Sequence, residues 1–156
     1  MGVSRLTLMR TWRVAKPFLE ASILTPERYR PLLHDGLMQG RLTAEPQVHV
    51  ARRFRTLMED TLPTMFSGPT VKLVAHPLAD KHMGQVCIPA DAHVAVALGP
   101  EGGFIPKEVE AFEEAGFTRV SLGPYPLRVE TACVAVLAQL QLVRSLATSA
   151  SDADDS

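Results

Sequence analysis

A strand that ends in a glycine loop and feeds a helix occurs twice in the second half of this chain, and that pattern constrains the fold most. Residues 96–110 read VALGPEGGFIPKEVE. A buried-type strand over 93–98 ends in the loop 99–104, and a short acidic helix follows over 106–115, closed by Gly116. Residues 120–132 read VSLGPYPLRVETA. Here a strand over 118–122 ends again in Leu-Gly-Pro, and an amphipathic helix is predicted from about 130 to 146. Strands alternating with helices predict an α/β fold with a mostly parallel sheet and flanking helices. Open sheets of that kind bind ligands at the carboxyl ends of their strands. Glycine at such a place lets backbone come close to a bound molecule.

The loops exclude two familiar sites. No Gly-Lys-Ser/Thr follows either one, and neither carries the G-x-G-x-x-G dinucleotide pattern. Two Gly-Pro loops on neighbouring strands would make a pocket lined mostly by backbone. Such a pocket suits a neutral or cationic small molecule with many hydrogen-bonding edges better than a polyphosphate. Arg128 and Glu130 are the polar groups on its lip, and Glu130-Thr131 also suit the first turn of a helix. Of five histidines, His76 stands at a strand end near the pocket, while His34, His49, His82 and His93 suit surface or packing positions.

The rest of the chain fits the same class. Strands are predicted over 4–9, 47–50 and 71–75, helices over 26–40 and 52–62, and a loop over 77–91. The tail 147–156, ATSASDADDS, is expected to be disordered. Hydrophobic residues make up 46% and charged residues 21%, enough apolar material for a real core. Cys87 and Cys133 are too far apart for a ligand pair, which argues against zinc, Fe–S and disulfide scaffolds and suits a reducing cytosol. No metal site and no membrane span is expected. Residues 1–60 carry ten Lys and Arg against six Asp and Glu, whereas 61–156 carry six against eleven. Nine of the first ten cations are Arg, the side chain that forks onto phosphate, so a weak RNA-facing surface is possible there.

GPEGGF at 99–104 followed by LGPYPLRVETA at 122–132 resembles the paired signature of the SPOUT, or α/β-knot, methyltransferases. More narrowly it is similar to the ribosomal RNA small-subunit methyltransferase E family. WRVAKPF at 12–18, the TPERYRPLLHDGLMQGR helix, RRFRTLMED and LVAHP at 73–77 carry the resemblance through the chain as far as the tail. It implies transfer of methyl from S-adenosylmethionine to N3 of a uridine in 16S ribosomal RNA. It also implies a C-terminal deep trefoil knot, a homodimer with the cofactor near the interface, and 16S RNA or the small subunit as partner. The cofactor loops so implied are Leu98, Gly99, Pro100, Glu101, Gly102 and Gly103, then Leu122, Gly123, Leu127, Arg128, Thr131 and Ala132. Arg13, Lys16, Gln39 and Arg41 are the candidate RNA contacts, and Arg128 and Glu101 the candidate catalytic residues.

Two departures stand out. Tyr125 and Pro126 occupy positions where the family pattern has Arg and Ile, so a cation is missing from the second loop. The family's N-terminal β-barrel, first strand and first helix have no counterpart, so residues 1–146 are expected to be an N-terminally incomplete methyltransferase domain. Methyl transfer to a ring nitrogen needs alignment of two substrates and a destination for the N3 proton. Arg128 suits polarising a uracil carbonyl or holding a phosphate. Glu101 suits receiving that proton or anchoring its own loop. The anchoring role is the favoured expectation, since a loop carboxylate beside backbone amides is usually a hydrogen-bond acceptor. The alternatives are a cofactor-binding fragment or paralogue without turnover, and an unrelated nucleotide-binding module.

Overall fold

The computed structural model describes residues 2–89 and 91–154, with side chains described as far as 147. Strand β1 (Arg5–Met9) leads through the short helix α1 (Lys16–Leu19) and a 3-10 turn at Ser22–Leu24 to α2 (Pro26–Gly40). Strand β2 (Gln47–Ala51) follows, then a helical run of α3 (Phe54–Thr56), a π segment (Leu57–Thr61) and α4 (Leu62–Met65). The second half contains β3 (Thr70–Ala75), β4 (His93–Ala97), α5 (Pro106–Glu114), β5 (Thr118–Val120) and α6 (Val129–Asp154).

All strand pairs are parallel, as expected, but they form two sheets rather than one. β1 pairs with β2 in register from Arg5–Gln47 to Met9–Ala51. β3 lies at the centre of the other sheet, between β4 and β5. Its register runs Thr70–His93 to Val74–Ala97 on one side and Leu73–Thr118 to Ala75–Val120 on the other. A central parallel strand is covered on both faces, which is why TVKLVA is a nearly continuous apolar run. Leu73 and Val74 are both fully buried, each in a different core cluster. One cluster gathers Phe104, Val109, Phe112 and Phe117 with Leu62 from α4, and the other gathers Met83, Val86, Ile88 and Val120 under Val136 of α6.

Three expectations change. The helix expected over 52–62 continues to Met65, and its π segment explains how it tolerates Pro63. The Leu62 N–H reaches back five residues to the Leu57 carbonyl just before the proline, which has no N–H to give. The final helix does not stop at 146. No Gly or Pro interrupts 129–154, and the backbone stays helical to Asp154. The remaining expected tail, 155–156, lies outside the described residues. By length and composition Val129–Ala147 is apolar enough to cross a membrane, contrary to the expectation that no segment is. Its inner stripe, Val136 with Leu137, Leu140 and Val143, packs on the β3–β5 layer.

Candidate functional site

Because β3, β4 and β5 are parallel, their carboxyl ends lie on one side of the sheet, and three loops gather there. The chain leaves β3 at His76, β4 at Leu98 and β5 at Ser121. Backbone hydrogen bonds tie the first loop to the third. The His76 N–H donates to the Val120 carbonyl (3.0 Å), the Ser121 N–H to Lys81 (2.8 Å) and the Met83 N–H to Ser121 (3.2 Å). Gln139 of α6 donates from Nε2 to the Leu122 carbonyl (2.8 Å), fixing the start of the third loop from behind.

Between these loops lies a cavity of about 340 Å³. Ten of the twelve expected cofactor positions line it: Leu98, Gly99, Pro100, Glu101, Gly102, Gly103, Leu122, Gly123, Leu127 and Ala132. Arg128 and Thr131 do not. α6 begins at Val129, so Val129 and Ala132, three apart, face the cavity together. Arg128 and Thr131 are exposed outside the lining. A smaller recess of about 190 Å³ shares Leu122 and Gly123 but opens toward Leu142 and Val143 of α6.

The first glycine loop is held in shape by its own backbone. The Gly103 N–H donates to the Pro100 carbonyl (2.7 Å), and Gly103 has φ 71, a left-handed turn that favours glycine. At Gly99 a Cβ would come within 3.1 Å of the Phe104 nitrogen and 3.2 Å of the Gly103 Cα, so this glycine lets the loop close on itself.

Of the four candidate RNA contacts, Arg13 alone lines the cavity. Its guanidinium donates to the Gly102 carbonyl and its stem lies against Gly102. Lys16 is exposed in α1. Gln39 is on the last turn of α2, and Arg41, in the left-handed conformation at φ 51, caps that helix; neither lines the cavity. His76 does line it. Its Nδ1 accepts from the Leu78 N–H (3.2 Å), which leaves Nε2 as the ring nitrogen for other contacts. Tyr125, 80% exposed, and Pro126 line it as well, so the two departures in the second loop fall on the cavity itself. Sequence reasoning missed the walls given by Ala75, Pro77, Leu78 and Phe104, whose positions carry no local polar signal. Among the described residues no three His, Cys, Asp or Glu gather as a metal site.

A parallel α/β layer with a cavity between its strand-end loops is the arrangement in which open sheets bind small molecules. The chain matches the RNA methyltransferase domain family over residues 1–141 and belongs to it. It is 29% identical over 118 residues to the ribosomal RNA small subunit methyltransferase E of Mycobacterium tuberculosis, covering 76% of this chain and 45% of that protein. It is 23% identical over 135 residues to the ribosomal RNA small subunit methyltransferase E 1 of Borreliella burgdorferi, covering 86% and 55%. The chain spans about half the length of the curated relatives it matches. Among solved structures, a probable rRNA-methyltransferase from Porphyromonas gingivalis superposes with TM-score 0.72 at 23% identity, over 93% of this chain and 58% of that one. The ribosomal RNA small subunit methyltransferase E of Neisseria gonorrhoeae bound to S-adenosyl methionine superposes with TM-score 0.70 at 22% identity, over 90% and 54%. At these identities the likeness establishes the fold. Family membership removes the unrelated nucleotide-binding module from the alternatives.

Proposed function

We propose that this chain is the cofactor-binding, catalytic part of an S-adenosylmethionine-dependent methyltransferase that acts on N3 of a uridine in 16S ribosomal RNA. The observation that carries the reading is the convergence of both Gly-Pro loops, with Arg13, on one cavity. Its chemistry fits the cofactor. Backbone amides and carbonyls at glycine positions offer hydrogen-bonding edges to a nucleoside. The structure from Neisseria gonorrhoeae is of a protein bound to S-adenosyl methionine.

When bound, the cofactor supplies an electrophilic methyl group. The chain's own residues align it and handle the uridine. The loops 98–104 and 121–128 hold the nucleoside end. Glu101 is exposed and makes no side-chain hydrogen bond or ion pair among the described residues, so it has no anchoring partner. We assign it the uridine N3 proton. Arg128, exposed just before α6 and outside the cavity lining, polarises a uracil carbonyl as negative charge develops. Arg13 and Lys16 give phosphate contacts, with Gln39 and Arg41 further out.

Residues 1–146 form the methyltransferase domain in this reading. A C-terminal deep trefoil knot is part of this reading, and what supports it is the family match and the likeness of fold to the solved methyltransferase structures. We place the protein in the cytoplasm, where ribosomal RNA is met and two free cysteines stay reduced.

Calorimetry with S-adenosylhomocysteine tests the cofactor, and transfer of labelled methyl to small-subunit RNA tests the reaction. Binding of S-adenosylhomocysteine with ATP unable to compete supports the reading. Binding without transfer, even when the chain is extended upstream, would show a cofactor-binding paralogue. No binding defeats the proposal.

A further inference from the structure

Glu108 carries a signal that neither glycine loop accounts for. It sits in the first turn of α5, is 5% exposed, and makes no ion pair among the described residues. A buried carboxylate without a cation is costly unless its oxygens are satisfied. Here both are. Oε2 accepts from the Ile105 N–H at 3.0 Å, an ordinary reach back to the start of the helix. Capping needs no more than that oxygen. Oε1 accepts instead from the Trp12 N–H at 2.7 Å, a partner 96 residues away in sequence.

The next residue is Arg13, whose guanidinium donates to the Gly102 carbonyl. A Cβ on Gly102 would stand 2.9 Å from the Arg13 Cδ and 3.5 Å from its Cβ, so the stem fills the space glycine leaves open. One carboxylate therefore holds the first glycine loop at two points. It takes Ile105 directly, and it takes Gly102 through Trp12 and Arg13. The loop between those points carries Gly103 and Phe104, both in the cavity wall.

We propose that Glu108 is a positioning residue for the cofactor cavity, acting through Arg13. Glu108 touches neither the cofactor nor the reacting atoms. It fixes the turn that lays Arg13 across Gly102, and so sets the spacing between the first glycine loop and the wall formed by Leu122 to Leu127. The inference rests on the cofactor reading above, and its test separates the two.

Affinity for S-adenosylhomocysteine is measured by calorimetry for the parent, Arg13→Ala, Glu108→Gln and the double variant. Arg13 is exposed, so its truncation leaves the fold intact, and Gln keeps one oxygen for one of the two N–H groups. Each single variant is expected to weaken binding about tenfold, because misplacing a wall of the site misaligns every contact on it. The double variant is expected to be no more than about twofold worse than the weaker single, since both changes break one line of action. Glu110→Gln, an exposed change on the same helix, leaves affinity unchanged. Losses that multiply, or a lowered melting temperature with unchanged affinity, would show that Glu108 only caps α5 and would overturn the proposal. If the parent binds no S-adenosylhomocysteine, the cofactor reading fails and amide exchange decides the clasp by itself. Glu108→Gln must then speed exchange at Trp12, and Arg13→Ala must speed it at Gly103. Absence of either change overturns it.

Discussion

Gly102 lacks a side chain because Arg13 occupies the space where one would stand. The sequence motif alone suggested that a ligand needed that space. Gly102→Val is therefore expected to displace Arg13, weakening S-adenosylhomocysteine binding about as much as Arg13→Ala does, by roughly tenfold. Calorimetry on the two variants side by side checks this. The motif positions 98–103, 122 and 123 were legible because a strand-end glycine loop is a local pattern. The roles of Arg13 and Glu108 were not, since their contacts join segments 89 and 96 residues apart. Two further residues make separate predictions. Thr11 is buried, and its Oγ1 has no hydrogen-bond partner among the described residues. Thr11→Val keeps the shape and removes an unsatisfied polar atom, so stability should rise by about 1 kcal/mol in urea unfolding. The Cys133 thiol is pushed up, first by burial and then by the charge of Glu130. At a given mildly alkaline pH it carries less thiolate than an unperturbed cysteine and is alkylated more slowly. Glu130→Gln should move its alkylation profile part of the way back toward lower pH, as rates at Cys133 read by peptide mass spectrometry will show.

At the scale of elements, α5 does more than its short acidic sequence advertises. Phe112 is 2% exposed and meets three other rings: Phe54 at 5.5 Å, Phe104 at 5.1 Å and Phe117 at 5.0 Å. Phe104 ends the first glycine loop, so this cluster anchors the loop from below as Glu108 does from its end. Phe112→Ala is expected to cost about 3–5 kcal/mol, the usual range for deleting a buried phenyl ring. The urea midpoint should fall accordingly, while Phe112→Leu should retain most of the stability. Apart from α1, which was not foreseen, and the end of α6, the helices and strands were readable to within a few residues, because hydrophobic periodicity and Pro-Gly punctuation are properties of short windows. The division into two sheets was not. Periodicity marks β1 and β2 as strands but says nothing about which edges meet. Nor did it show the π turn, where Pro63 removes a donor inside a helical pattern. The end of α6 was misplaced because a fall in hydrophobicity near 147 was taken for a fall in helicity, although Ala and Ser continue a helix readily.

For the molecule as a whole, α6 sets the largest remaining demand. Its inner stripe packs on the second core, yet Val134, Leu142 and Leu146 are 56%, 59% and 62% exposed. Tyr125 and Leu127 are exposed on the loop that leads into the same helix. An apolar strip of this length needs a cover, and a second copy of the chain supplies one by symmetry, placing the same strip on both partners. The net charge of −1 puts little electrostatic repulsion against that pairing. Because Val129 and Ala132 of α6 also line the cavity, pairing through this helix would brace one wall of the site. The chain is therefore expected to sediment as a dimer at micromolar concentration. Leu142→Glu, which places a charge on the exposed strip, should shift it to monomer and weaken cofactor binding together. A parent that sediments as a monomer without detergent would refute the dimer. A Leu142→Glu monomer that binds the cofactor as tightly as the dimer would leave the pairing standing and remove its link to the site.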